Sequence, residues 1–314
     1  MRNAKLAGAF SFTFLTAGLT LAAPAQAQMD SVHFGSSPWP GVTVKTEVAV
    51  QLLEAMGYDT QRTELALSAI MQSLADGDLD VYLAGWYPNQ ATMVDPLVEQ
   101  GRLEKLVVNV PDALSGLVVP AYVWNDGIHS LDDLVANGDR FDHTIYGIEA
   151  GAAMSDTIDQ AISNDYAGLG DWQQQNSNTA AMLSQAGNMI ENQQPVVFYG
   201  WRPHWMNLAF DLRYLEDSRP DSQIAGVEAQ VWTLANPGMA EADPNVHRFF
   251  DQFVLDSEIQ SEWIFAYSYE ERDAADVAHD WIADNRDVVE GWLEGVTDHD
   301  GNPAMQRIES AFYN

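Results

Sequence analysis

Leu79-Asp80-Val81-Tyr82-Leu83-Ala84-Gly85 runs directly into Trp86-Tyr87-Pro88. Seven residues dominated by apolar and aromatic types, closed by glycine, tryptophan and proline, read as a buried strand that hands its last residues to a loop. Upstream, Ser31-Val32-His33-Phe34-Gly35 reads as another short strand, ending in the loop Ser36-Ser37-Pro38-Trp39-Pro40-Gly41. Val44, Val48, Leu52 and Met56 then recur every four residues, with Gly57 at a helix stop, and a second helical stretch carries Ile70 and Leu74 to Gly77. Strand and helix alternate. That alternation predicts an α/β fold with a mostly parallel sheet, whose ligands bind in loops at the carboxyl ends of strands.

Downstream the grammar repeats. Leu117-Val118-Val119-Pro120, Thr144-Ile145-Tyr146-Gly147-Ile148 and Pro195-Val196-Val197-Phe198-Tyr199-Gly200 read as strands. Between them lie expected helices at 131–135, 155–163 and 178–188. From Ala225 to Leu234 the chain is strand-like again, then mostly helical, with Phe249, Phe250, Phe253 and Leu255 as core. A late return of this kind predicts a first lobe built from 28–112 and 218–314, with a second lobe, 113–217, inserted into it. The 314 residues agree with two compact units.

Composition narrows the function. Lys and Arg number 14 against 46 Asp and Glu, a net charge of −32, which repels phosphate backbones and anionic lipid and excludes nucleic-acid and membrane-surface binding. With three lysines and so large an acid excess, the surface reads as adapted to salt, which screens self-repulsion. There is no cysteine, so disulfides, thiolate metal sites and a lipid-modified N-terminal cysteine are excluded. Residues 1–27 read as a secretory signal peptide: Arg2 and Lys5 precede an apolar stretch from Ala7 to Ala23, and Ala25-Gln26-Ala27 offers a small-x-small cleavage site. Cleavage there leaves 12 basic against 46 acidic residues, −34. No later stretch is apolar for the eighteen or so residues of a membrane span, so a soluble periplasmic protein is expected.

Catalytic signatures are absent: there is no Gly-x-Ser-x-Gly elbow, phosphate-cradling glycine loop, dinucleotide fingerprint or His-Glu-x-x-His. Asp298 to Glu309 faintly resembles a calcium loop but has Pro303 where the sharp turn needs glycine. No metal or cofactor is expected.

Tryptophans carry the signal. Trp39, Trp86 and Trp201 each follow an expected strand, and each is followed by a proline within two residues, which stiffens the loop presenting the ring. Three indoles converging at strand ends make a cage for a quaternary ammonium, a cation that cannot hydrogen-bond and meets only the ring quadrupoles. Trp124, Trp172, Trp205, Trp232, Trp263, Trp281 and Trp292 lack this context and are expected to be structural.

The segments Gly85-Trp86-Tyr87-Pro88-Asn89, Tyr146-Gly147-Ile148-Glu149-Ala150-Gly151 and Gly200-Trp201-Arg202-Pro203-His204-Trp205-Met206-Asn207 resemble those of periplasmic substrate-binding proteins of ABC importers for glycine betaine, choline and related quaternary amines. The resemblance implies a two-lobed, type II-like binding protein that closes about a hinge. Trp39 and Trp86 from one lobe would face Trp201 from the other across the interlobe cleft. It also implies a membrane permease as partner, and a monomer is expected.

Choline-binding members place an Asp where this chain has Gly41, a Tyr where it has Ser115 and an Asn where it has Ala152. Those departures favour glycine betaine, whose carboxylate needs donors instead. The opening of the helix after Gly151, with Ala152 and Ala153, offers free backbone N–H groups, and His204 and Arg202 are side-chain candidates, whereas Glu149 reads first as a structural strand-end residue and second as a cleft acid. Choline, carnitine and trimethylamine N-oxide remain as alternative ligands. An exported carbohydrate-active enzyme with Glu149 as its acid is the alternative of another class.

Overall fold

The structure, a computed structural model, describes residues 1, 28–220 and 222–313; the expected signal peptide lies outside them apart from Met1. The first strand, β1 (Ser31–Ser36), buries Val32 and Phe34 on one face, and β2 (Asp59–Glu64) runs parallel to it in register over six residues. Then follow β3 (Val81–Tyr87), β4 (Glu104–Pro120), β5 (Thr144–Gly147), β6 (Gln173–Asn176), β7 (Phe198–Arg202), β8 (Leu212–Tyr214) and β9 (Val227–Ala235). Their order in one sheet is β2-β1-β3-β9-β4-β7-β5-β6, with β8 on β4.

The sheet is parallel towards both ends and antiparallel in the middle. β1 pairs in parallel with β2 and β3, and β5 with β6 and β7, as strand-helix alternation predicts. The central pairs β3·β9, β4·β9 and β4·β7 are antiparallel. In these pairs β9 comes from the late part of the chain, and β4 is long enough to serve both halves. Over Glu104–Ser115 it lies along β9, and over Leu114–Val118 along β7. At the change of partner stands Gly116, where a Cβ would come within 2.1 Å of the Ala225 carbonyl oxygen.

Helices form where the apolar spacing places them, at Pro40–Ala55, Leu67–Asp76, Leu131–Ala136, Ala153–Ser163 and Thr179–Glu191. Gly77 caps the second of these in the left-handed conformation, φ +83°, which costs glycine least. Buried side chains gather in separate clusters. One joins Val44, Val48 and Leu52 to Phe249, Phe250, Phe253, Trp263 and Trp292, so both ends of the chain share a core. A second is built from Leu117 to Ala225, including Ile145, Met182 and Phe198. A smaller third, with Ile70, Leu74 and Tyr82, lies beneath the first lobe's strands. The molecule is two-lobed, and the strands crossing between lobes belong to one sheet.

At the faint calcium loop the acids are taken up by the protein itself. Asp298 is buried, accepts the backbone N–H groups of Asp300 and Asn302, and meets Arg307 Nε at 3.0 Å, so a guanidinium takes the place of a cation. Among the described residues no three His, Cys, Asp or Glu side chains gather as metal ligands.

Candidate ligand site

Trp39 occupies the N-cap position of helix Pro40–Ala55, with Pro40 at the first helical position, where its missing N–H is no loss. The indole Nε1 donates to Glu149 Oε1 on the loop after β5, which fixes the ring plane and links the two halves of the molecule. Trp86 and Trp201 are the penultimate residues of β3 and β7, held by register opposite Val231 and Ser115. The strands thus carry these rings themselves, one residue before the loops that the sequence suggests. Both following X-Pro bonds, Tyr87-Pro88 and Arg202-Pro203, are cis.

One cavity is lined by all three tryptophans together with Pro40, Gly41, Tyr199, Ala152, Ala153, Met154, Asn89, Gln90, His204 and Gln260. It lies between the lobes: Trp86 packs against all three buried clusters, and Trp39 against the second and third. Among the described residues no Asp, Glu, Lys or Arg lines it. The Tyr199 ring lies 5.1 Å from that of Trp201 at 30°, and the His204 ring meets Trp201 edge-on at 4.9 Å. Asn89 Nδ2 donates to Ser115 Oγ at 3.1 Å and lies 3.4 Å from the Tyr199 hydroxyl.

His204 is buried, and burial pushes its pKa down to about 3, so the ring is neutral at ordinary pH. Its Nδ1 accepts the Met206 backbone N–H at 3.2 Å. A neutral imidazole that accepts at Nδ1 carries its proton at Nε2. That Nε2 is buried at the cavity wall with no hydrogen-bond partner among the described residues.

Helix Ala153–Ser163 opens at the same cavity with Ala152 as N-cap and no side-chain cap. The Ala152 N–H is engaged by the Glu149 carbonyl at 3.2 Å, and the Ser155 hydroxyl by the Ile148 carbonyl, so the open donors are amides of the first turn from Ala153 onward. Gly151, at φ +85°, falls outside this lining and borders the neighbouring groove with Ser37, Glu64 and Glu149. Arg202 is exposed and donates to the Asp112 carbonyl at 3.1 Å, away from the cavity. Tyr199, Asn89, Met154 and Gln260 are lining residues that the sequence reading passes over. Asn89 and Tyr199 adjoin the tryptophan segments and were within reach of it, whereas Gln260, on helix Ser257–Ile264, has no local signal.

A two-lobed α/β molecule with an aromatic, uncharged cavity between its lobes defines the class of substrate-binding proteins. The chain belongs to the family of substrate-binding domains of ABC-type glycine betaine transport systems, whose model matches residues 30–284. It is 33% identical over 165 residues to the glycine betaine/carnitine transport binding protein GbuC of Listeria monocytogenes, a match spanning 52% of this chain and 54% of that protein. It is 38% identical over 141 residues to an uncharacterized protein of Chromohalobacter salexigens, covering 45% of this chain and 90% of that one. Among solved structures it resembles an ABC-transporter choline binding protein in complex with choline, with a TM-score of 0.85, 28% identity and coverage of 90% and 98%. It also resembles lactococcal OpuAC in its closed-liganded conformation with glycine betaine, with a TM-score of 0.75, 25% identity and coverage of 84% and 99%.

Family and neighbours are binding proteins, which overturns the alternative of a carbohydrate-active enzyme. The chain works with an ABC transporter permease and is extracytoplasmic, as such receptors are. Among the described residues no helix is long and apolar enough to cross a membrane.

Proposed function

We propose that this protein binds glycine betaine between Trp39, Trp86 and Trp201 and delivers it to an importer from the periplasm, after removal of residues 1–27. The observation that carries the reading is the uncharged lining: three indoles with no carboxylate among the lining side chains. Such a wall recognises an ammonium through ring quadrupoles alone. It suits a ligand whose net charge is zero better than a bare cation, which would find no counter-charge in the lining, the nearby Glu149 being taken up by the Trp39 N–H. The zwitterion's own carboxylate has donors to meet: His204 Nε2–H, buried and unpaired, and the first-turn amides of Ala153 and Met154. Gly151 acts by setting the turn into that helix.

The buried clusters support lobes of the expected composition, although Ile224 and Ala225 still pack with the second. We place the return to the first lobe after Ala225 rather than at 217/218. The working unit is a monomer.

Calorimetric titration with a panel of methylated amines tests the ligand. Betaine should bind at least about tenfold more tightly than choline, because a buried hydroxyl poorly matched to its partners costs about 1 to 3 kcal/mol and 1.4 kcal/mol is a factor of ten. Betaine affinity should be flat from about pH 5 to 8, since His204 is already neutral there and donates in that form. Tighter binding of choline or trimethylamine N-oxide, or an affinity that climbs as pH falls through 6, would refute the carboxylate site.

A further inference from the structure

Gln260 reaches the cavity from helix Ser257–Ile264, more than two hundred residues after Gly41, and the two positions share one space. A Cβ built on Gly41 would lie 2.7 Å from Gln260 Nε2 and 3.2 Å from Ile264 Cδ1. A side chain at position 41 would force the end of Gln260 to move. The Gln260 side chain is buried, lines the cavity, and its Oε1 has no hydrogen-bond partner. Buried amide atoms are almost always paired, and an unpaired one at a cavity wall points to a ligand.

We propose that Gln260 is a specificity-determining residue that reads the polar end of the bound amine. An amide carries a donor and an acceptor on opposite sides of one rotatable bond, and the two ends are nearly the same size. Turned about that bond, it puts its N–H where Oε1 stands and donates to a carboxylate, and being neutral it does not repel one. With His204 Nε2–H, the Gln260 amide N–H is a second side-chain donor for a zwitterion's carboxylate. A carboxylate at position 260 would accept only, and would repel an anionic end group at short range in a dry site. The inference rests on the methylated-amine reading and adds to it the residue that chooses among such amines.

The test is calorimetry with glycine betaine and choline on the unmutated protein, Gln260→Glu and Gln260→Met, alongside ligand-free melting. Gln260→Glu should weaken betaine at least tenfold while leaving choline as tight or tighter, so the betaine-to-choline preference falls at least tenfold. Gln260→Met keeps the volume and guards against a buried acid that fails to fold. It should weaken betaine about tenfold while the ligand-free protein melts no lower, because an unpaired polar group has been removed. A preference within threefold of the unmutated protein in Gln260→Glu overturns the role of Gln260 alone. So does Gln260→Met that melts lower and binds betaine unchanged, which is the behaviour of a packing residue. Unmutated protein that binds no methylated amine overturns the proposed ligand and this inference together.

Discussion

A tryptophan ring offers a cation its face only if something holds the plane still, and each of the three rings here is held differently. Glu149 grips the Trp39 nitrogen, ladder bonds hold Trp86, and Tyr199 and His204 flank Trp201. Trp201→Leu keeps apolar volume and removes the quadrupole, and a desolvated contact of this kind is worth about 2 kcal/mol. Betaine binding should fall about thirtyfold by calorimetry. Trp263 is the control: it is 1% exposed in the first lobe's core and packs edge-on against Trp281. Trp263→Leu should lower the melting temperature by about 5 °C or more with affinity largely kept. Affinity lost in Trp263→Leu and kept in Trp201→Leu would reverse the assignment.

At the scale of elements, β4 decides how the lobes communicate. It carries the first lobe's pairing with β9 and the second lobe's with β7 on one continuous strand. Gly116 marks the exchange, against the backbone of Ala225 and Gly226 rather than against a side chain that could move aside. Gly116→Ala should therefore destabilise the protein by about 2 kcal/mol or more, read from denaturant unfolding. Gly101→Ala is a contrast at another positive-φ glycine, φ +67°, with nothing within 4 Å of the added carbon. Its cost should be the smaller one of backbone conformation alone. Equal losses in the two variants would remove the close-approach argument.

Across the whole molecule, charge is distributed in a lopsided way. Arg219 sits between Asp132 and Asp217, Arg286 between Glu290 and Glu309, and Arg307 between Asp298 and Asp300. Lys45 is fully buried, donating to Asn109 and the Leu83 carbonyl, and burial holds its pKa well below the usual lysine value. Lys105 lies 3.5 Å from the Tyr87 ring centroid. These basic groups are thus engaged, and 14 Lys and Arg are too few to pair 46 Asp and Glu. Exposed ion pairs contribute about 0 to 1 kcal/mol each, so screening them costs less than relieving the repulsion of a −32 chain gains. The melting temperature should rise as salt goes from about 0.01 M to 1 M and the Debye length falls from about 30 Å to about 3 Å. A flat or falling curve would contradict a surface adapted to salt.

The α/β class, most helices and the strands bearing Trp86 and Trp201 follow from local pattern, because a buried strand needs a run of apolar residues and an amphipathic helix needs its period. β2 and β6, Asp-Thr-Gln-Arg-Thr-Glu and Gln-Gln-Gln-Asn, are invisible to that reading, since they form the two outer edges of the sheet and are largely exposed. The gathering of Trp39, Trp86 and Trp201 was legible from proline and glycine beside each ring, and the structure places all three at one cavity. Tertiary structure alone decides the rest. The antiparallel middle of the sheet depends on which strand β9 returns to, and the contact of Gln260 with Gly41 on how two distant helices pack. The state of His204 Nε2 depends on the Met206 N–H that Nδ1 accepts and on burial. Local sequence encodes propensity and period, but a side chain's unpaired atom and its charge state are properties of everything folded around it.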